Sequence, residues 1–200
     1  MDAKEQLNAI REIRSMMNKS TRFLSLSGLS GVFAGIYALV ACGVAYKYLG
    51  AVKYSDYKTE DRQFFILVGL VTLVLALLTA YFFTRKNAKK DGVKMWDENV
   101  KVGLINLAIP LLSGGILSLA LLYNELFALL APCTLIFYGL ALVSASRNTV
   151  PVVRQLGLLE IILGLINAFF LGYGMIFWLL GFGVLHIVYG IIMQYKYQKA

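Results

Sequence analysis

The chain has 200 residues, 59% of them hydrophobic and 15% charged, with a formal net charge of +8 at pH 7. An ordinary soluble domain is roughly 45–50% apolar and 25% charged, so this balance excludes a nucleic-acid enzyme of the usual kind, a secreted disulfide scaffold and a disordered regulator. The apolar residues fall in long uncharged blocks, which makes the expected class an all-α polytopic membrane protein.

Residues 1–23 are expected to form a cytoplasmic segment, with Leu7, Ile10, Ile13 and Met17 at helical spacing and Lys4, Glu5, Arg11, Glu12 and Arg14 off that line. This pattern predicts a short amphipathic helix, lying on the inner leaflet or touching a partner or a second copy. A helix needs about 20 apolar residues to cross a hydrocarbon core of roughly 30 Å. Six stretches in a domain over 24–195 meet or approach that length, at about 24–46, 64–84, 102–122, 126–145, 155–172 and 175–194. Polar loops separate the first three. Tyr123, Asn124 and Glu125 turn the third into the fourth, and Gly172, Tyr173 and Gly174 turn the fifth into the sixth. The expected architecture is therefore six transmembrane helices in three helical hairpins, with a tail at 196–200.

Charge fixes the expected orientation. Lys and Arg at the N-terminal segment, the second and fourth connections and the tail number fifteen, against four in the first loop. That bias predicts cytoplasmic termini and attraction to anionic lipids at the cytoplasmic face. The basic residues sit in alternate connections with no compact basic domain, so no nucleic-acid partner is expected. The second connection, Arg85 to Lys101, reads as a solvated cationic loop, with Trp96 anchoring entry to the third span.

Leu39-Val40-Ala41-Cys42 has the form of a lipidation box, but the sequence stays apolar through Gly43-Val44-Ala45, which reads as uninterrupted helix. Cys133, in the fourth span, is the other cysteine. Both are expected to be buried structural thiols. One histidine and two distant cysteines give no metal or haem spacing, and no cofactor is implied.

A shift of 51 residues lays Tyr138-Gly139 on Tyr189-Gly190, Leu129 on Leu180 and Leu112 on Leu163, a weak sign of a duplicated hairpin. Small residues suggest where helices approach. Gly157, Glu160, Gly164 and Asn167 share one face of the fifth span; Gly183, His186 and Gly190 share one of the sixth. Folding about Gly172–Gly174 pairs Gly157 with Gly190, Gly164 with Gly183 and Glu160 with His186. Gly31 and Gly35 form a further packing surface on the first span, and Gly-x-Gly at 181–183 carries no phosphate-loop context.

An acid inside a span costs about 2.5–3.5 kcal/mol on insertion scales, so Glu160 is expected to face protein or a water-filled cavity. Counted from residue 155 at 1.5 Å per residue, it lies about 9 Å deep. His186, Tyr189 and Asn106 fall at similar depth, Asn106 beside the carbonyl that Pro110 leaves without its helical donor. These four make a candidate intramembrane polar cluster. The chain has no HExxH, no usable serine–histidine–acid set and no paired aspartates within spans, so a non-enzymatic protein is expected.

Two segments carry a resemblance. Arg14-Ser15-Met16-Met17, Ser25-Leu26-Ser27-Gly28-Leu29-Ser30-Gly31 and Ala34-Gly35-Ile36-Tyr37-Ala38-Leu39 stand near the start. Leu159-Glu160 with Gly164, and Gly181-Phe182-Gly183-Val184-Leu185-His186 with Tyr189-Gly190, stand near the end. Together they resemble uncharacterised six-span inner-membrane proteins of Bacteroidetes-type bacteria. The glycine-spaced helix pairs are also similar, more loosely, to HdeD-like acid-stress membrane proteins. The resemblance implies a bacterial inner membrane and no particular activity. The expected function is a structural, sensory or accessory membrane component, acting as a homo-oligomer or through a partner membrane protein. The alternative is a small proton-coupled transporter or channel with a cytoplasm-facing cavity around Glu160 and His186.

Overall fold

The computed structural model describes residues 27–49, 59–90, 96 and 98–197. The expected amphipathic helix over 1–23 lies outside them. The described residues are helical with no strand, and six helices are long and apolar enough to cross a membrane. In hydrocarbon every backbone N–H and C=O needs an internal partner, and a continuous helix supplies it.

The first span is α1 (Gly28–Leu49) and the second α2 (Thr59–Lys90). The third is α3 (Glu98–Tyr123), which runs through Pro110. A 3-10 turn at Phe127–Leu129 leads into α4 (Leu130–Ala145), and another at Ser146–Asn148 precedes α5 (Pro151–Phe169). The sixth span is composite: α6 (Gly174–Trp178), a π-helical segment (Leu179–Leu185) and α7 (His186–Tyr197).

Helix ends follow local chemistry. The α3 helix closes with Glu125 in the left-handed region at φ 58, while Leu126 N–H donates to Leu121 O at 2.8 Å and Glu125 N–H to Leu122 O at 3.3 Å. That is the six-to-one and five-to-two pattern of a glycine-type helix stop, built here on a non-glycine. Pro151 opens α5 at its first turn, where its missing N–H costs nothing. At the other end Asn167 Nδ2 donates to Phe170 O at 3.0 Å.

Two boundaries differ from expectation, with consequences for depth and charge. The 32 residues of α2 carry Arg85, Lys86, Lys89 and Lys90 on the helix itself rather than in a loop. At 1.5 Å per residue such a helix is about 48 Å long, so its basic end projects well past a roughly 30 Å core. The α5 helix starts at Pro151, four residues before the apolar run, because proline at N1 nucleates it. Glu160 is then the tenth of nineteen residues, at mid-helix and not in the shallow third.

Packing is organised around α4. It lies against α5 on one side and α3 on the other, while α1 lies against the sixth span and α2. The α5 face bearing Gly157, Glu160, Gly164 and Asn167 is buried as the spacing predicts, yet its main partner is α4. Gly139 and Gly157 meet backbone to backbone: a Cβ on Gly139 would stand 2.5 Å from Gly157 O, and one on Gly157 would stand 2.7 Å from Gly139 O. Gly164 opens onto Ile136 and Leu135 of α4. A Cβ on Gly190 of the sixth span would run into Gly28 O and Val32 of α1, one on Gly31 would stand 3.3 Å from the Gly190 Cα, and one on Gly35 would run into Gly183 O.

The expected glycine pairs within the last hairpin, Gly157 with Gly190 and Gly164 with Gly183, are therefore not formed. The fifth and sixth spans each carry a small-residue face, but each turns it to a different helix. Gly31 and Gly35 do form a packing surface, and the sixth span occupies it. Cys42 and Cys133 are both buried free thiols, as expected.

Candidate functional site

The midplane of the bundle holds one polar group, assembled from three elements. From α5, Glu160 presents a carboxyl with no solvent exposure. His186, 5% exposed, stands where the π-helical segment becomes α7. Tyr138, half-buried, comes from α4.

The hydrogen bonds assign the imidazole. His186 Nδ1 lies 3.0 Å from Gly181 O. A carbonyl oxygen only accepts, so Nδ1 carries a hydrogen. Nε2 lies 2.8 Å from Tyr138 Oη, and in a neutral ring it accepts from the phenol. Glu160 Oε1 is 3.4 Å from Nδ1, close enough for electrostatic contact but beyond the good hydrogen-bond range. Neither Glu160 oxygen has a hydrogen-bond partner.

The local chain folds to make this possible. Leu179–Leu185 is π-helical, a geometry that often marks functional positions in helices. Within it, a Cβ on Gly181 would stand 2.5 Å from Glu160 Oε2, and it would also overlap Leu135. Gly183 yields its side-chain space to Leu39 of α1. Leu135 is itself fully buried. The Gly-x-Gly at 181–183 is thus the socket for the carboxyl and for α1. Aromatic rings close one side: Tyr138 to Phe182 at 5.1 Å between centroids, Phe182 to His186 at 5.9 Å and Trp178 to Phe182 at 4.9 Å.

Of the four residues the sequence groups together, two meet. Glu160 and His186 are neighbours. Tyr189 is half-buried and is not among the group's hydrogen-bond partners; the phenol that reaches the imidazole is Tyr138. Asn106 sits half-buried on α3, which packs on α4, and its amide does not join the group. Similar depth did not bring either residue in, because helix azimuth decides contact. The Tyr-Gly match between 138–139 and 189–190 was the signal for Tyr138, since it sets a second tyrosine at the same register.

Asn167, also fully buried, leaves its Oδ1 unpartnered two turns along α5. Among the described residues, no cluster of three or more His, Cys, Asp or Glu side chains suits a metal ion. The fold and this site together define a multi-pass helical membrane bundle whose buried polar group joins α4, α5 and the sixth span. Comparison with protein-family models, curated proteins and solved structures finds no match to this chain.

Proposed function

We propose that this chain is a non-enzymatic structural, sensory or accessory component of a bacterial inner membrane, with both termini cytoplasmic. In this reading the Tyr138–His186–Glu160 group is a polar lock. It holds the sixth span, and through it α1, against the α4–α5 pair. The observation that carries the reading is the zero exposure of Glu160, packed against Gly181 and beside His186. A transporter with a cytoplasm-facing cavity needs a wet path to that carboxyl, so the dry contact favours the lock.

The orientation rests on the fifteen-to-four distribution of basic residues, and the inner-membrane location on the sequence resemblance. Anionic lipid is the expected neighbour of the basic end of α2, and a partner membrane protein or a second copy is the expected route by which the bundle acts. The lock is tested by thermal denaturation of His186→Ala in detergent against the parent chain, alongside proton flux into liposomes. Loss of stability with no flux in the parent supports the lock. Unchanged stability, or a flux that Glu160→Gln abolishes in a folded protein, overturns it. Reporter fusions at the two ends should both fall in the cytosol; opposite faces would overturn the orientation.

A further inference from the structure

Glu160 has no exposure and no hydrogen-bond donor, and the nearest donor, His186 Nδ1–H, is directed to Gly181 O. An ionised carboxylate is costly in such surroundings unless it is paired and hydrogen-bonded. The sealed arrangement is therefore that of an electrically neutral group holding three protons. One is on Nδ1 and one on the Tyr138 phenol. The third sits on the Glu160 carboxyl, because His186 Nδ1–H is given to Gly181 O and Nε2 accepts from the Tyr138 phenol, which leaves the ring neutral.

Removing the third proton leaves a net negative charge with nothing described nearby to offset it. On α4, Cys133 Sγ lies 3.8 Å from Ser118 Oγ of α3. On α1, Cys42 Sγ faces Met175 O and Tyr37 Oη faces Thr79. On α5, Arg154 is exposed; on the sixth span, Tyr173 is exposed and Tyr189 makes no bond to the group. Water is what remains to solvate the anion. The wall most able to admit it is the π-helical segment, which lies against the carboxyl at Gly181, a residue with no side chain to bar the way. Conversion of a π turn to an α turn shifts the phase of everything after it by about one residue. That change turns His186 away from Glu160.

We propose that Glu160, His186 and Tyr138 form a binding site for one exchangeable proton, and that release of this proton opens the sixth span along Leu179–Leu185. On release the Glu160 O–H bond breaks, the electron pair stays on the carboxylate, and the proton passes to an entering water. The site rests on the lock reading above, since a group that did not hold the helices together would have nothing to release.

The test uses the full chain in lipid nanodiscs, titrated from neutral to alkaline pH. Infrared difference spectra follow the carboxylic-acid C=O band, and amide hydrogen exchange follows residues 179–197. The expected result is an acid band at neutral pH that is absent in Glu160→Gln and kept in Tyr138→Phe. It disappears on raising pH while exchange over 179–197 rises by about tenfold or more. If Glu160→Gln does not fold, Glu160→Asp makes the assignment by shifting the band. A carboxylate band at neutral pH in a slowly exchanging bundle overturns the proton site and leaves the lock standing. So does loss of the acid band with no rise in exchange. Conversely, a normal titration in a chain that His186→Ala does not destabilise overturns the lock and, with it, the proposed opening of the sixth span, leaving only a titrating carboxyl.

Discussion

The α4–α5 contact and the outer helices α2 and α3 are built from the same apolar vocabulary and do opposite things with it. Where α4 crosses α5, a Cβ added to either Gly139 or Gly157 would run into the carbonyl oxygen of the other. On α2 and α3, a Cβ added to Gly69 or Gly115 would meet no other described side chain or helix within 4 Å. From Phe64 to Tyr81 no residue of α2 is buried, and Leu67, Leu70, Leu77, Leu78 and Phe82 are exposed. In lipid an exposed leucine is no worse off than a buried one, so apolarity does not sort inside from outside. Close backbone approach and polar contact do: glycine backbones meet where α4 crosses α5 and where α1 crosses the sixth span, whereas α2 and α3 are tied in by local contacts, Tyr37 Oη with Thr79 Oγ1 at 3.0 Å and Gly114 against Phe137.

Substitutions can break this contrast. The largest effect is expected from Gly157→Val, whose Cβ would meet a backbone oxygen that cannot move aside. We expect a loss of about 3 kcal/mol or more, read as failure to recover folded protein in detergent or as a large fall in denaturation midpoint. His186→Ala should cost about 1–2 kcal/mol, the range of polar contacts between membrane helices, measured in the same assay. Gly115→Ala should change stability by less than about 0.5 kcal/mol. If Gly115→Ala proved as damaging as Gly157→Val, the outer face of α3 would be a packed surface and the contrast would fail.

The sequence made the class of the molecule legible, because lipid imposes length and apolarity on any crossing helix. It also marked the α5 face, since Gly157, Glu160, Gly164 and Asn167 recur at helical spacing and all four are buried. Which helix that face meets was not legible. A hairpin about Gly172–Gly174 and one about Ser146–Asn148 bring equally plausible small residues together, and only the second supplies the tight glycine contact. Glu160 and His186 were found as neighbours because both are rare in hydrocarbon and share a depth. Tyr138 was missed because tyrosine is common in membrane helices, and its direction depends on how α4 is rotated. The π-helical segment was likewise hidden. It inserts a phase shift that a fixed 3.6-residue reading cannot register, and it gives Gly181 the role of a socket.

The measurement closest to the centre of this account is a double-mutant cycle on the bond between α4 and the sixth span. Tyr138→Phe, His186→Gln and the double variant would be denatured in detergent alongside the parent chain. Tyr138 Oη and His186 Nε2 stand 2.8 Å apart, so the two substitutions should couple by about 0.6–1.7 kcal/mol, from the average to the largest value that such cycles give for hydrogen bonds between membrane helices. Strictly additive losses would contradict the bridge, and with it the claim that this polar group holds the bundle's inner helices together.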